Sequence, residues 1–127
     1  EWEEAILKMK AGGVDILATY VFWNHHEEHK GEWDFGGSRD IRAFLELCKK
    51  LDMPVWLRIG PWAHGEARNG GFPDWLVAEL GHNGLGYIEG ASREHETRTN
   101  DALYMQYVEQ FWTRLAQEIK GEMCKDG

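Results

Sequence analysis

Arg58-Ile59-Gly60-Pro61-Trp62-Ala63-His64-Gly65-Glu66-Ala67-Arg68-Asn69-Gly70-Gly71-Phe72-Pro73-Asp74-Trp75-Leu76 is the stretch that decides how the rest of the chain is read. An apolar run ending at Ile59 stops on Gly60-Pro61, a pair that punctuates regular structure. A polar loop follows, with one carboxylate, Glu66, among aromatics and glycines. Pro73 then opens a short helix, because proline suits a first helical turn. A loop at the carboxyl end of a buried strand is where α/β enzymes keep their chemistry. Trp62, Phe72 and Trp75 beside a carboxylate suit a sugar, with flat rings for C–H edges and an anion for hydroxyls.

Working upstream, residues 54–59 read as a strand led in by Asp52. Before it, Ile41, Phe44, Leu45, Cys48 and Leu51 recur at helical spacing, with Ser38 as the expected N-cap. Residues 23–37 read as a long loop. Residues 14–22 are nearly continuous in apolar and β-branched types, as in a parallel strand buried on both faces. Residues 2–11 carry apolar side chains at 2, 5, 6 and 9, acidic groups at the start and Lys8 and Lys10 at the end, which matches a helix and its dipole. Downstream, residues 73–80 form a short helix and 81–98 an exposed loop. Residues 101–120 form a last helix capped by Thr99 or Asn100, with Tyr104, Val108, Phe111, Leu115 and Ile119 on one face. Helices alternating with strands imply an α/β fold with a parallel sheet, and put both long loops at one end of it.

The chain has 127 residues, room for one ordinary domain. Its 14 basic and 22 acidic residues give a net charge of −8, which argues against nucleic acid as a partner. No 18-residue apolar run marks a membrane span. Two cysteines set no disulfide framework, and Cys48 falls on the apolar helix face as a free buried thiol. Seven tryptophans are many for this length; most are expected in the core and a few as sugar platforms.

The quoted stretch resembles glycoside hydrolase family 35, the β-galactosidase family, whose version reads Arg-x-Gly-Pro-Tyr-x-Cys-Ala-Glu-Trp-x-x-Gly-Gly-x-Pro-x-Trp-Leu. Thr19-Tyr20-Val21-Phe22-Trp23-Asn24-His25-His26-Glu27 is similar to the family's Thr-Tyr-Val-x-Trp-Asn-x-His-Glu, and Lys8-Met9-Lys10-Ala11-Gly12-Gly13 to its Lys-Met-Lys-x-x-Gly. The three matches run in order over residues 2–76, with looser similarity to residue 127. His64 replaces the usual Cys, Gly65 the usual Ala and Ala67 the usual Trp, all on the pocket wall.

The resemblance implies a (β/α)8 barrel, which needs about 250 residues. The expectation is therefore an incomplete barrel over residues 1–127, with about two parallel strands and three main helices, lacking the first strand and the fourth onward. The rest of the parent barrel would be its partner. It also implies a retaining exo-glycosidase acting on terminal β-galactosides, with a carbohydrate substrate and no cofactor. A secreted, periplasmic or lysosomal-type compartment is compatible with it.

The resemblance gives Glu66, with the small residue Gly65 before it, the role of binding sugar hydroxyls, where the alternative is a solvated loop carboxylate. A carboxylate only accepts, so it holds donor hydroxyls and rejects sugars lacking them. Tyr20 would contact the sugar in the family, and is otherwise a core aromatic. Asn24 either binds ligand or braces its loop; Trp23 is read as packing. Arg58, inside a buried strand, is expected in a structural ion pair with a carboxylate.

His25, His26 and His29 with Glu27 or Glu28 could ligate zinc, but His26-Glu27-Glu28-His29 is not the His-Glu-x-x-His helix motif, and no metal site is assigned. Retaining hydrolysis needs two carboxylates about 5 Å apart. The family's acid/base follows an Asn, yet Asn24, Asn69, Asn83 and Asn100 precede His25, Gly70, Gly84 and Asp101. No catalytic residue is therefore assigned here. The other readings are a non-catalytic carbohydrate-binding protein that kept the pocket and a metal-dependent barrel hydrolase.

Overall fold

Two short strands lie side by side in parallel. The computed structural model describes residues 2–63, 67–80 and 100–123. Along the chain come α1 (Trp2–Ala11), β1 (Leu17–Tyr20), α2 (Trp23–His26), α3 (Ile41–Lys50), β2 (Val55–Arg58), α4 (Asp74–Leu80) and α5 (Ala102–Glu118), with 3-10 turns at Gly37–Arg39 and Arg68–Gly71. Leu17 pairs with Val55 and Tyr20 with Arg58. Val21 N–H donates to Arg58 C=O at 2.9 Å, carrying the pairing one residue further. The loops after β1 and β2 thus leave from the same end of the sheet, as parallel pairing requires.

The helices form where their apolar spacing predicts. Ile41, Leu45 and Cys48 of α3 are buried, and burial pushes the Cys48 thiol above its ordinary pKa. Tyr104, Tyr107, Val108, Phe111 and Leu115 make the buried stripe of α5. A main cluster joins these to Val21, Trp23, Phe35, Phe72, Leu76, Val77 and Leu80. Ile6 of α1, Cys48 and Met53 form a smaller cluster that seats α1 on α3, with Trp2 edge-on to Phe44 at 5.4 Å.

Several expectations need correction. The strand expected over 14–22 is only Leu17–Tyr20. Neither strand is buried on both faces: Leu17, Thr19, Val55 and Leu57 are half-buried, while Ala18, Tyr20, Trp56 and Arg58 are exposed. Trp56 is 67% exposed, so that face lacks a covering layer among the described residues. Arg58 accordingly sits on an open face, and its bond goes to a hydroxyl rather than a carboxylate. The loop at 23–37 contains a full helical turn, α2. Asp40, not Ser38, caps α3, accepting from Ala43 N–H at 2.9 Å; Ser38 lies in the preceding 3-10 turn. Asp101 caps α5, accepting from Leu103 and Tyr104 N–H, in place of Thr99 or Asn100. In both cases an ionised oxygen one or two residues later makes the stronger bond to the orphan N–H groups. The loop expected at 81–98 lies outside the described residues.

The turn after β2 depends on glycine. Asn69, Gly70 and Gly71 all have positive φ (50°, 61° and 88°). The Trp62 ring lies flat on Gly70, so that a Cβ there would run into its benzenoid ring. Gly121 also has positive φ, at 93°, but nothing lies within 4 Å of its missing Cβ. Gly121→Ala should cost about 1–2 kcal/mol for the left-handed backbone alone. Gly70→Ala should cost about 2–5 kcal/mol, because overpacking adds to that strain. Urea midpoints at constant m-value measure both; equal losses would show that the Trp62 contact carries no weight.

Candidate functional site

The carboxyl ends of β1 and β2 open into a cleft of about 430 Å³ lined by Tyr20, Phe22, Asn24, His25, Ala63, Ala67 and Arg68. Tyr20 ends β1 on the open face and is 38% exposed. Its ring stacks on Phe22, with centroids 5.5 Å apart and planes at 12°. Arg58 Nη1 donates to its hydroxyl at 3.0 Å. Asn24 lies in α2, and its Oδ1 is buried with no hydrogen-bond donor in reach among the described residues. The bracing bond that an Asn could make here is therefore not made by that oxygen.

Gly65 and Glu66, the other two expected ligands, lie outside the described residues, as does His64. Their neighbours on either side are described. Ala63 and Ala67 both line the cleft. Ala63 N–H donates to Gly70 C=O at 2.7 Å, and Gly70 N–H to Ala67 C=O at 3.0 Å. The segment carrying Gly65 and Glu66 thus leaves from, and returns to, the wall that Tyr20 and Asn24 share.

That wall is held from beneath by α2. Trp23 is fully buried, stacked on Phe111 at 5.0 Å and edge-on to Phe72 and Trp75. Its indole N–H donates to Glu27 Oε1 at 2.8 Å. Glu27 is 3% exposed; its Oε2 accepts from Gly31 N–H at 2.9 Å and its carbonyl from the Trp75 indole at 2.9 Å. A buried carboxylate with both oxygens engaged is a structural anchor. Lys30 extends the anchor to α4 and α5, donating to Tyr107 Oη at 2.8 Å and Glu79 at 2.9 Å. The bond to Tyr107, then that to Glu79, raises its pKa.

The three histidines do not converge. His25 is exposed and edge-on to Phe22. His29 sits on an exposed bridge with Glu32. His26 is buried, stacked on Phe35 at 4.5 Å, with Nδ1 2.9 Å from Asp34 C=O. A carbonyl only accepts, so Nδ1 carries the proton. Among the described residues no group of three His, Cys, Asp or Glu is placed to hold a metal ion. Glu28, the other carboxylate considered with these histidines, is exposed and 3.6 Å from Arg39.

The family model for glycosyl hydrolases family 35 matches residues 1–127. The chain belongs to this family. It is 36% identical over 126 residues to beta-galactosidase 8 of Oryza sativa subsp. japonica, a match covering 99% of this chain and 17% of that protein. It is 37% identical over 118 residues to beta-galactosidase 17 of Arabidopsis thaliana, covering 93% of this chain and 15% of that protein. With the exo-beta-D-glucosaminidase of Pyrococcus horikoshii it shares 46% over 80 residues, 60% of this chain and 10% of that protein. The chain thus spans less than a fifth of the length of each of these relatives.

Two features that support this cleft do not follow from the sequence. The Tyr20–Arg58 bond is a cross-strand pair, visible only once the register is known. Glu27 drew attention as a metal ligand, while its anchoring role was signalled by its place four residues after Trp23, one helical turn along.

His26 supplies a pH test. Burial, the largest effect, lowers its pKa below the ordinary 6.5, so the folded chain keeps the ring neutral. The unfolded chain binds the proton first on acidification. Stability from this residue is therefore complete above about pH 6.5, and falls as the pH drops from there toward the lowered folded value. The melting temperature should decline from pH 7.5 to 5.5, and the decline should be shallower in His26→Gln. Parallel profiles for the two proteins would show that His26 does not titrate on unfolding.

Proposed function

We propose that this chain forms one wall of the sugar pocket of a retaining exo-glycosidase that cleaves terminal β-galactosides. Its residues bind the sugar, and the acid/base and nucleophile lie elsewhere in the parent protein. The observation that carries the reading is the cleft: Tyr20, Asn24 and both flanks of the Gly65–Glu66 segment meet at the carboxyl ends of parallel strands, where barrel enzymes bind their substrates. Stacked Tyr20 and Phe22 give an apolar floor, and the Tyr20 hydroxyl and Asn24 amide give polar handles, the mixture that a sugar face requires.

The barrel itself belongs to the same proposal. Ala18, Tyr20, Trp56 and Arg58 on the open sheet face fit the inward side of a closed barrel, whose interior is filled by such side chains. Among the described residues the one buried carboxylate, Glu27, is bonded to Trp23 and Gly31, which makes it an anchor and not a group free for hydrolysis. A second reading keeps the pocket but places a 2-amino sugar in it. It is favoured by the 46% identity over 80 residues to an exo-beta-D-glucosaminidase.

In the full-length parent protein, Glu66→Gln should lower kcat/KM for an aryl β-galactoside about ten- to a hundredfold, the worth of a charge-assisted hydrogen bond. Glu28→Gln should be near-silent, because that carboxylate is paired with Arg39 on the surface. The aryl β-glucosaminide, run beside it, decides between the two sugars. Equal, near-normal kinetics for both variants would remove Glu66 from the site, and a parent that binds galactose but cleaves neither substrate would be a binding protein. The 127-residue chain alone should turn over neither, since acid/base and nucleophilic catalysis each contribute orders of magnitude; release of aryl alcohol above an inactive control would overturn that.

A further inference from the structure

Tyr20 and Arg58 are cross-strand partners in the parallel register and share the exposed face of the sheet. Arg58 Nη1 lies 3.0 Å from the Tyr20 hydroxyl, and the guanidinium carbon 5.2 Å from the ring centroid. A guanidinium has five N–H donors, no acceptor, and a charge that persists at every working pH. In this bond the arginine must donate and the phenolic oxygen must accept. The Tyr20 proton therefore cannot point toward Arg58, whichever way the hydroxyl turns.

We propose that Arg58 is a positioning residue, fixing the Tyr20 hydroxyl as a hydrogen-bond donor toward an oxygen of the ligand in the cleft. This rests on the reading of the cleft as a sugar site and adds a polarity to it. A sugar hydroxyl both donates and accepts. One that accepts from Tyr20 keeps its own proton for a different acceptor, so its two bonds run in one direction only. A ligand group at that position must be able to accept, which an ether, a hydroxyl or, more weakly, a fluorine can do, and a methylene cannot.

The test uses the full-length parent protein with Tyr20→Phe, Arg58→Met, Arg58→Lys and the Tyr20→Phe/Arg58→Met double variant. The probes are an aryl β-galactoside for kinetics, and methyl β-galactoside with its monodeoxy and monodeoxyfluoro analogues for competitive binding. Tyr20→Phe and Arg58→Met should each lower kcat/KM about three- to tenfold, the worth of one neutral hydrogen bond. The double variant should be no worse than Tyr20→Phe alone, and Arg58→Lys, still a donor-only cation, should recover most of the loss. At one ring position the fluoro analogue should bind better than the deoxy analogue, and that preference should vanish in both Tyr20→Phe and Arg58→Met. A merely structural Arg58 would not move that preference. Additive losses in the double variant, or an intact fluoro preference in a folded Arg58→Met, overturn the inference while the sugar site stands. Silence of both Tyr20→Phe and Glu66→Gln overturns the sugar site and the inference together.

Discussion

The buried bond between the Trp23 indole and the Glu27 carboxylate, 2.8 Å long, is the constraint on which the rest of the site depends. Burying a carboxylate is costly unless each oxygen finds a donor. Glu27 meets the condition with Trp23 on one oxygen and Gly31 on the other, and its backbone carbonyl takes the Trp75 indole. Because Trp23 also stacks on Phe111 and meets Phe72 and Trp75 edge-on, one short helical turn fastens the loop after β1 to α4, α5 and the loop after β2. Removing either partner would leave the other polar group buried without its bond, a larger loss than the bond's own net worth.

The geometry of the cleft follows from that fastening. Asn24 and His25 stand on the outer side of the same turn whose inner side carries Trp23 and His26, since successive residues of a helix point about 100° apart. Phe72, locked beneath Trp23, continues directly from Gly70 and Gly71, where the Trp62 ring and Phe22 close against the backbone. The two walls thus share one rigid core. Under the proposed reading a sugar would meet a site that needs little reordering, and preorganisation of that kind adds to affinity.

Much of this was legible in the sequence, and the remainder fails for physical reasons. The two strands between longer helices, the stripe of α5 and the buried Cys48 follow from periodicity, which reports burial, whereas the helical turn α2 does not. The length of β1 does not either, because Val14 and Ile16 are apolar and β-branched as in a strand yet pair with no strand among the described residues. Asp40 outranked Ser38 as a cap because cap choice turns on a one- or two-residue difference in where φ and ψ become helical, which spacing does not resolve. Arg58 was read as buried because its neighbours are apolar, but strand residues alternate, and it falls on the open side. At the cleft, Tyr20 and Asn24 were legible because their motif begins where β1 ends. Gly65 and Glu66 remain a reading of the sequence, supported by flanks that both line the cleft.

The motif at 19–27 therefore contains two kinds of residue under one likeness. Trp23, His26 and Glu27 face inward and shape the loop; Tyr20, Phe22, Asn24 and His25 face the cleft. Inward residues are bound by packing and by satisfied hydrogen bonds, so any relative with the same loop needs them, whatever sugar it holds. The cleft-facing residues hold one another more loosely: Tyr20 stacks on Phe22 and accepts from Arg58, and His25 meets Phe22 edge-on. Of the departures from the family pattern, Ala67 lines the cleft, and neither it nor Trp62, which stands at the pattern's Tyr, is part of the anchor. Family membership is accordingly carried mostly by the scaffold, whereas the choice between a galactoside and a 2-amino sugar rests on the few groups that reach the ligand. Discrimination is strongest where a site hydrogen-bonds a specific hydroxyl or amine, so under the proposed reading the Tyr20 hydroxyl and the Glu66 carboxylate, more than the motif count, decide which sugar is accepted.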